Sequence, residues 1–377
     1  MSKLKALSLF ANVGISECFL SDLDVSVAVA NELEPARGKF YQHVFPETEM
    51  IIGDITNDDI FSDIIQKSKE NDIELIIATP PCQGMSTAGK SDPNDPRNSL
   101  IKYAVNAVKL LSPRFVFLEN VPEQLITAVS HNGNDLKIPE YLKQVLGDNY
   151  HFEQGVINAA DYGVPQLRER AIFLLTRKGE KKNWIFPPKD SKRKTMEDAI
   201  GHLPPLDPII YDVTSNEMEE LLPNYLQTHL QAAEISRWHK PPRHVKRQIY
   251  AMQHTPTGKS AFENEPEYQP KKQDGTTVRG YKNTYKRQNW DTPAYTITMY
   301  NRTIGSQNNA HPGRLMENGL YSDPRVLTIY EIMLIMTLPV QWNIPDWATE
   351  NFIRSVIGEG IPPLLMKRIV GGLVDGL

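Results

Sequence analysis

Ile73-Glu74-Leu75-Ile76-Ile77-Ala78-Thr79 is an apolar run of strand length, and Pro80-Pro81-Cys82-Gln83-Gly84 follows it directly. Two prolines and a glycine end any regular element, so Cys82 is predicted to lie on a stiff loop at the carboxyl end of a strand. Open parallel sheets place their chemistry at that edge. A lone cysteine is more often a small buried residue than a nucleophile, so the rest of the chain must decide its role.

Similar apolar runs recur through the first half of the chain and alternate with stretches of helical character. The predicted strands are Lys5–Phe10, Val25–Ala30, Met50–Ile52, Ile73–Thr79, Phe115–Leu118 and Ala171–Leu175. Continuous apolar strands that alternate with helices indicate a parallel sheet covered on both faces. We therefore predict an α/β fold with a Rossmann-like domain and a mostly parallel sheet.

The composition is that of an ordinary globular protein of 377 residues with a net charge of -5. This length is sufficient for two domains. The two cysteines, Cys18 and Cys82, provide no disulfide framework, which fits a reducing compartment. The apolar run near the N-terminus is too short for a signal peptide or a membrane span. We expect a cytoplasmic protein with no membrane partner and no metal.

The composition changes near Arg177, after which the chain becomes irregular. Between Ile235 and Arg325 there are 15 Lys and Arg against 7 Asp and Glu, so this stretch is basic although the whole chain is acidic. Tyrosine, tryptophan, asparagine and glutamine are mixed with these cations. A solvated surface would explain the charge alone, but cations interleaved with aromatics and amides fit contact with a nucleic acid better.

Acidic residues follow the predicted strands and suggest a ligand rim. Asn12-Val13-Gly14 after the first strand could bring backbone close to a nucleoside, but it lacks the glycine fingerprint for a pyrophosphate. Glu32 could accept hydrogen bonds from two ribose hydroxyls, and Asp54 from an adenine amino group. A nucleoside without a phosphate cradle fits S-adenosylmethionine better than NAD, although each residue could instead be a loop acid or a helix cap.

Cys82 gains significance when it is combined with Glu119, Arg168 and Arg170. Glu119 ends an apolar strand, so burial would raise its pKa and keep it protonated. Arg168 and Arg170 alternate on an extended segment and could hold an anion, a carbonyl oxygen or Glu119. Cations would also help to activate a thiol whose ordinary pKa is about 8.5. A thiolate, a protonated acid and a guanidinium meet the needs of addition to C6 of cytosine.

With these residues the sequence resembles the cytosine-5 DNA methyltransferases, in family order along nearly the whole chain. The matching motifs are Leu9–Gly14, Gly53-Asp54-Ile55, Pro81-Cys82-Gln83, Glu119-Asn120-Val121, Gln166-x-Arg168-x-Arg170, Arg325-x-Leu327-Thr328-x-x-Glu331 and Gly358–Pro363. The resemblance implies a Rossmann-like, S-adenosylmethionine-dependent domain at 1–178. It also implies a smaller, irregular target-recognition domain at 179–324 and a C-terminal segment, 325–377, that returns to the first domain.

The resemblance also implies residue roles and partners. Cys82 attacks C6 of a cytosine flipped out of duplex DNA, Glu119 engages N3 and the amino group, Arg170 engages O2, and Arg168 braces the site. The expected cofactor residues are Phe10, Asn12, Gly14, Glu32, Leu33, Asp54, Ile55, Leu100 and Glu359. The expected DNA-contacting residues are Gln83, Ser86, Arg97, Gln166, Arg279, Lys282, Arg287 and Arg302. The expected partners are double-stranded DNA and a restriction endonuclease for the same site, and a monomer would suffice.

Several positions depart from the family pattern. Asn12 and Ile15 replace usual glycines, Leu33 replaces an aromatic residue, and Glu359 stands where asparagine is usual. These departures concern affinity for the cofactor more than the reaction.

The sequence leaves three other functions open. The nearest is an RNA methyltransferase of the same superfamily acting on a tRNA cytosine, against which the long basic insertion favours DNA. A catalytically silent DNA-binding regulator would not need Cys82, Glu119 and both arginines together. A thiol hydrolase is the weakest of the three, because no histidine is placed by the sequence to activate Cys82.

Overall fold

The computed structural model describes residues 4–81 and 99–374. Its strands are β1 (Leu4–Leu9), β2 (Val25–Glu32), β3 (Glu49–Ile52), β4 (Leu75–Ala78), β5 (Phe115–Asn120), β6 (Ala128–His131), β7 (Asn134–Lys137), β8 (Tyr150–Asn158), β9 (Glu169–Arg177), β10 (Ile209–Ile210) and β11 (Arg243–His244). Its α-helices are α1 (Pro35–Val44), α2 (Asp58–Glu70), α3 (Ile101–Leu111), α4 (Ile138–Leu146), α5 (Met196–Ile200), α6 (Ser215–Leu221), α7 (Tyr225–Ile235), α8 (Lys246–Gln253), α9 (Ile329–Ile335), α10 (Glu350–Glu359) and α11 (Pro363–Val374).

A seven-stranded sheet with the order β3-β2-β1-β4-β5-β9-β8 forms the centre of the molecule. The first five strands in this order are parallel, whereas β9 is antiparallel to both of its neighbours. The chain runs outward from β1 to β3 and then returns to the other side of β1 with β4. The loops after β1 and β4 therefore open side by side at the carboxyl edge, where such sheets bind ligands. The predicted α/β fold with a mostly parallel sheet is confirmed.

The last two strands differ from the prediction. β8 was not predicted, because it is an edge strand whose exposed polar residues interrupt the apolar run. The predicted strand Ala171–Leu175 is the centre of the longer β9. It runs antiparallel because it pairs with β8 as a hairpin and inserts between β8 and β5.

Apolar side chains cover both faces of the sheet, and their burial is the main driving force for this packing. On one face α2, α3 and α4 pack against the strands. On the other face α11 packs together with Trp184, whose indole N–H donates to the carbonyl oxygen of Ile369 at 2.9 Å. A segment near the C-terminal end of the chain thus closes a core that the first strands began.

The region after β9 is irregular and has a small core of its own, formed by Ile249, Met252, Tyr285, Ile304 and Val326 among others. A further cluster joins α5, α9 and α10 to residues that follow β1. The domain boundaries at 178 and 324 stay predictions. Within residues 4–81 and 99–374, no helix has both the length and the apolar character needed to cross a membrane.

Candidate active site and cofactor site

The segment after β1, residues 10–14, forms a tight turn that we call the β1 loop. Phe10, Asn12 and Gly14 have left-handed backbone conformations, with φ of 60°, 51° and 75°. Glycine is the ordinary choice there, and asparagine is one of the few other residues that tolerate it. A Cβ at Gly14 would collide with the ring of Phe45. The β1 loop therefore requires glycine at 14 and accepts asparagine at 12.

Glu32 ends β2 beside the β1 loop, and its side chain is buried. Its Oε2 accepts a hydrogen bond from the Asn12 N–H at 2.8 Å, and its Oε1 accepts one from the Glu34 N–H at 3.0 Å. Burial raises the pKa of Glu32, and these N–H groups and Arg37 oppose the shift. The carboxylate is thus tied to the β1 loop and keeps lone pairs for hydroxyl donors.

The other predicted cofactor residues lie after neighbouring strands. Asp54 follows β3 and is exposed, and its Oδ1 accepts a hydrogen bond from the Thr56 N–H at 2.9 Å. Ile55 is buried in the core, Leu100 is half-buried at the start of α3, and Leu33 is 55% exposed. The structure therefore places these residues at the carboxyl edge of the sheet, with Leu33 open to solvent.

β5 and β9 bring Glu119 and Arg170 together in a buried ion pair. The Arg170 Nε lies 2.6 Å from the Glu119 Oε1, and the Glu119 residue is only 6% exposed. Burial raises the pKa of Glu119, while the positive charges of Arg170 and Arg168 oppose that shift. A carboxyl group with a raised pKa beside a guanidinium offers two adjacent donors to a polar ligand.

Asn120 has a positioning role that the sequence reasoning missed. Its Nδ2 donates to the carbonyl oxygen of Pro80 at 2.9 Å, and its Oδ1 accepts from the Val121 N–H at 2.8 Å. The Thr79 hydroxyl donates to the carbonyl oxygen of Phe10 at 3.2 Å. These bonds hold the chain just before Cys82 next to both Glu119 and the β1 loop. The signal in the sequence was an amide directly after the acid at the end of a strand.

Four predicted site residues, Cys82, Gln83, Ser86 and Arg97, lie outside the described residues. Their roles stay predictions. The first described segment, residues 4–81, ends one residue after the carbonyl group of Pro80 that Asn120 holds.

Arg168, just before β9, is 1% exposed and bonds to the backbone of distant segments. Its Nη1 donates to the carbonyl oxygen of Ile297 at 3.0 Å. Its Nη2 donates to the carbonyl oxygens of Gly358 and Glu359 at 3.0 and 2.9 Å. Arg168 therefore joins the start of β9, the strand that carries Arg170, to the irregular region and to the end of α10.

Gln166 was predicted to contact DNA, and the structure contradicts this because the residue is fully buried. Its Nε2 donates to the sulfur of Met336 at 2.9 Å, and its Oε1 accepts from the Ile297 N–H at 3.2 Å. Both ends of the amide are therefore used within the protein. Gln166 thus holds the segment around Ile297 next to the residues that lead into β9.

Comparison with known proteins identifies the family. Residues 4–374 match the family described as C-5 cytosine-specific DNA methylase. The chain is also 41% identical to the Type II methyltransferase M1.HgaI from Avibacterium volantium over 371 residues, which cover 97% of both proteins. The chain belongs to the C-5 cytosine-specific DNA methylase family. Membership makes this protein a DNA cytosine methyltransferase and implies S-adenosylmethionine as the methyl donor.

Solved structures share the fold of this methylase at low sequence identity. A prophage-encoded protein from E. coli matches with a TM-score of 0.66 and 20% identity over 99% of both chains. The methyltransferase EhMeth from Entamoeba histolytica matches with a TM-score of 0.63 and 14% identity over 100% of this chain and 99% of its own. At such identities the likeness supports the fold alone.

The polar groups around the β1 loop of the methylase fit S-adenosylmethionine. The Asn12 Oδ1 is buried and has no hydrogen-bond partner in the described part of the chain. Together with Glu32 and Asp54 it gives a set of acceptors, which suits a ligand with hydroxyl groups, amino groups and a positive charge. The residues present therefore fit the cofactor that the family implies.

Three of the four cations predicted for DNA contact in the irregular region are exposed. Arg279 and Lys282 face solvent, and Arg302 is exposed while its Nη1 donates to the Asn351 Oδ1 at 2.9 Å. Their positions are compatible with contact to a polyanion, and their roles stay predictions.

The prediction that Arg287 contacts DNA is wrong, because this side chain is fully buried. Its Nη1 donates to the carbonyl oxygens of His311 and Asp323 at 2.8 and 3.1 Å, and its Nη2 donates to that of Met252 at 2.8 Å. Burial lowers its pKa to about 9. Arg287 is therefore an internal cross-link of the irregular region.

Proposed function

We propose that this methylase transfers a methyl group to C5 of a cytosine in duplex DNA through a temporary bond between Cys82 and C6. When bound, S-adenosylmethionine would supply the electrophilic methyl group. The Glu119–Arg170 pair carries the proposal: it is buried at the carboxyl edge, beside the point where the chain leads into Cys82.

Charge explains the proposed division of roles. The Cys82 thiolate adds to C6, and the electron pair of the C5–C6 double bond moves to C5. The new bond from C5 to the methyl carbon would form as the methyl–sulfur bond of S-adenosylmethionine breaks, with S-adenosylhomocysteine as the leaving group. Protonated Glu119 donates to N3 and accepts from the amino group, and Arg170 donates to O2. Both withdraw electron density from the ring, which lowers the cost of addition. Loss of the C5 proton to water then restores the double bond and expels the thiolate.

Two neighbouring loops form the proposed DNA-reading surface. We call residues 279–284 and 300–307 the paired loops, because the Tyr285 N–H donates to the Ile304 carbonyl oxygen at 3.1 Å and the Asn308 N–H donates to the Asn283 carbonyl oxygen at 2.8 Å. Their exposed side chains include Arg279, Tyr281, Lys282, Tyr300 and Arg302. The cations suit phosphates, and the tyrosines, 80% and 78% exposed, suit sugars or base edges.

The proposed biological setting is restriction and modification. M1.HgaI is a Type II methyltransferase. We infer that the present methylase likewise protects a site that a cognate restriction endonuclease cleaves. One chain carries both the Glu119–Arg170 site and the paired loops, so we expect it to act as a monomer. The target base must leave the helix to reach a buried acid, at a cost of about a few kcal/mol.

Covalent trapping tests the proposal directly. Duplex oligonucleotides of varied sequence that carry 5-fluorocytosine are incubated with the protein and S-adenosylmethionine. Fluorine at C5 cannot leave as a proton does, so the thiolate cannot be expelled and the adduct should survive denaturation. Cys82→Ser should form no adduct and no 5-methylcytosine while it still binds DNA. The matched control is Cys18→Ser, which alters the other cysteine and should still be trapped.

Several outcomes would overturn the proposal. Full activity of Cys82→Ser would exclude the nucleophile. Adducts with a tRNA that carries 5-fluorocytosine, but with no duplex DNA, would assign the protein to RNA. DNA binding without adduct or methylation for any sequence would indicate a silent regulator.

A further inference from the structure

Asn12 and Glu359 lie 347 positions apart in sequence, but their side chains are bonded to each other. The Asn12 Nδ2 donates to the Glu359 Oε2 at 3.0 Å. Asn12 belongs to the β1 loop, and Glu359 is the last residue of α10. The contact therefore fastens the first turn of the candidate cofactor site to a helix from the far end of the chain.

Arg37 on α1 holds the same carboxylate. Its Nη1 lies 2.8 Å from the Glu359 Oε2, and its Nη2 donates to the Glu359 Oε1 at 3.0 Å. The side chains of Arg37 and Glu359 are 24% and 22% exposed, so water screens this two-point pair only in part. Arg37 thus fixes the direction in which Glu359 presents its oxygen to Asn12.

The position of Glu359 at the end of a helix requires compensation. A carboxylate at a helix C-terminus is repelled by the partial negative charge of the last carbonyl groups. Arg37 neutralises the side chain, and Arg168 donates to the backbone carbonyl oxygens of Gly358 and Glu359. Two cations from separate elements therefore hold an acid where the helix alone would disfavour it.

The backbone of Asn12 does not require this side chain. Glycine would adopt its φ of 51° with less strain. The asparagine amide is instead divided between two tasks. Its Nδ2 binds Glu359, and its buried Oδ1 has no partner in the described residues. The backbone N–H of the same residue binds Glu32.

We propose that Asn12, Arg37 and Glu359 form a clasp that positions the β1 loop for the cofactor, with the Asn12 Oδ1 as acceptor for a donor group of S-adenosylmethionine. Arg37 and Glu359 act through Asn12 as positioning residues. The inference rests on the proposed use of this site for that cofactor. It differs from the sequence expectation for Glu359, in which the carboxylate itself contacts the cofactor.

Binding and steady-state kinetics of three variants test the clasp. Titration calorimetry measures the Kd for S-adenosylmethionine, and methylation of duplex DNA gives the KM for the cofactor and kcat. We expect Asn12→Gly to raise both Kd and KM about tenfold, because an acceptor and its support are lost although the backbone is relaxed. The kcat at saturating cofactor should stay within about twofold, since this is lost binding rather than lost chemistry.

Arg37→Ala and Glu359→Gln test the positioning of Asn12 separately from the contact between Asn12 and the cofactor. Both remove the ion pair but leave the Asn12 side chain in place, and both should raise KM about threefold to fivefold without changing kcat. The double variant Asn12→Gly with Arg37→Ala should bind no more weakly than Asn12→Gly alone, because both changes break one chain of contacts.

Arg114→Ala is the matched control. Arg114 makes a similar partly buried ion pair, with side chains of Arg114 and Glu180 29% and 15% exposed, but it precedes β5 at the opposite edge of the sheet. It should lower the thermal midpoint as Arg37→Ala does, with no change in KM.

Two results would overturn the clasp: wild-type KM in Asn12→Gly, or additive effects in the double variant. If Asn12→Gly does not fold, an unchanged KM in both Arg37→Ala and Glu359→Gln overturns it equally. A wild-type protein that does not bind S-adenosylmethionine at all would instead refute the proposed cofactor.

Discussion

At the scale of single residues, Glu119 combines two opposing influences on one proton. Burial raises the pKa of this carboxyl group, and the positive charges of Arg170 and Arg168 oppose the shift. The proposed chemistry needs the protonated form, which donates to N3 of the base. Because the pKa of Glu119 is raised, the protonated form persists closer to neutral pH. The fraction of Glu119 that can donate to N3 falls as the pH rises through this pKa.

We therefore predict that the methyl-transfer rate falls with rising pH through the raised pKa of Glu119. In Arg170→Gln one of the charges that lower this pKa is lost, so the fall should move to higher pH, although the maximal rate is reduced. Single-turnover rates at saturating DNA and cofactor across the pH range measure both effects. Glu119→Gln serves as the control, with a rate lower by about two to four orders of magnitude and no such pH dependence. If the fall in rate occurs at the same pH in Arg170→Gln as in the wild type, it does not report the protonation of Glu119.

At the scale of elements, the paired loops and the core beneath them contain cations with opposite functions. Arg279 and Lys282 project into solvent, whereas Arg287, a few residues later, donates to three carbonyl oxygens in the interior. An exposed cation can release counterions from DNA, but a buried one cannot. The same residue type therefore supports binding in one place and folding in the other.

We predict that Arg279→Ala and Lys282→Ala each weaken DNA binding and reduce the slope of log K against log salt by about one. Arg287→Ala should leave three buried carbonyl groups without their donor and lower the free energy of unfolding by about 2–4 kcal/mol. Its salt slope should equal that of the wild type. Salt titrations of DNA affinity and urea unfolding distinguish the two classes. A reduced salt slope in a stably folded Arg287→Ala protein would contradict the separation.

The sequence predicts the elements whose local pattern is unambiguous. Continuous apolar runs identify the parallel strands, and the acids at their ends identify one edge of the sheet. β8 escapes prediction because an edge strand needs no continuous apolar run. Gln166 and Arg287 were misassigned because tertiary packing alone decides whether an amide or a guanidinium is buried. The Asn12–Glu359 contact has no local signature at all, since its partners are brought together only by the complete fold.

At the scale of the whole molecule, a buried ionic network joins the irregular region to α9. Arg325 pairs with Glu331 and with Asp323, both at 2.8 Å, and its Nε donates to the carbonyl oxygen of Leu206 at 2.9 Å. Burial alone would raise the pKa of Glu331, but Arg325 and His311 outweigh it and hold that pKa well below its usual range. The irregular region and α9 are therefore joined by ion pairs that require ionised carboxylates on Asp323 and Glu331.

The pKa of Glu331 is lower in the folded protein than in the unfolded chain, where it is about 4.3. The stability that this difference contributes is therefore complete above about pH 4.3, and it is lost as the pH falls towards the folded-state pKa. We predict that the wild-type free energy of unfolding decreases steeply below about pH 4.5. Glu331→Gln should be less stable by about 3–5 kcal/mol at pH 7, and it should decrease less steeply in acid. Urea unfolding between pH 3 and 7 measures both. Glu219→Gln, on an exposed position of α6, should stay within about 0.5 kcal/mol.

The distance along the chain between Asn12 and Glu359 also has a consequence for biosynthesis. A ribosome that adds about 5–20 residues per second needs roughly 20–70 s to pass from one of these codons to the other. Throughout that interval the Asn12 side chain lacks Glu359 as its acceptor, and α11 is not yet available to cover its face of the sheet. A polypeptide that is released early by a nonsense codon before α10 would lack both Glu359 and α11, even though it contains every motif up to Arg168 and Arg170.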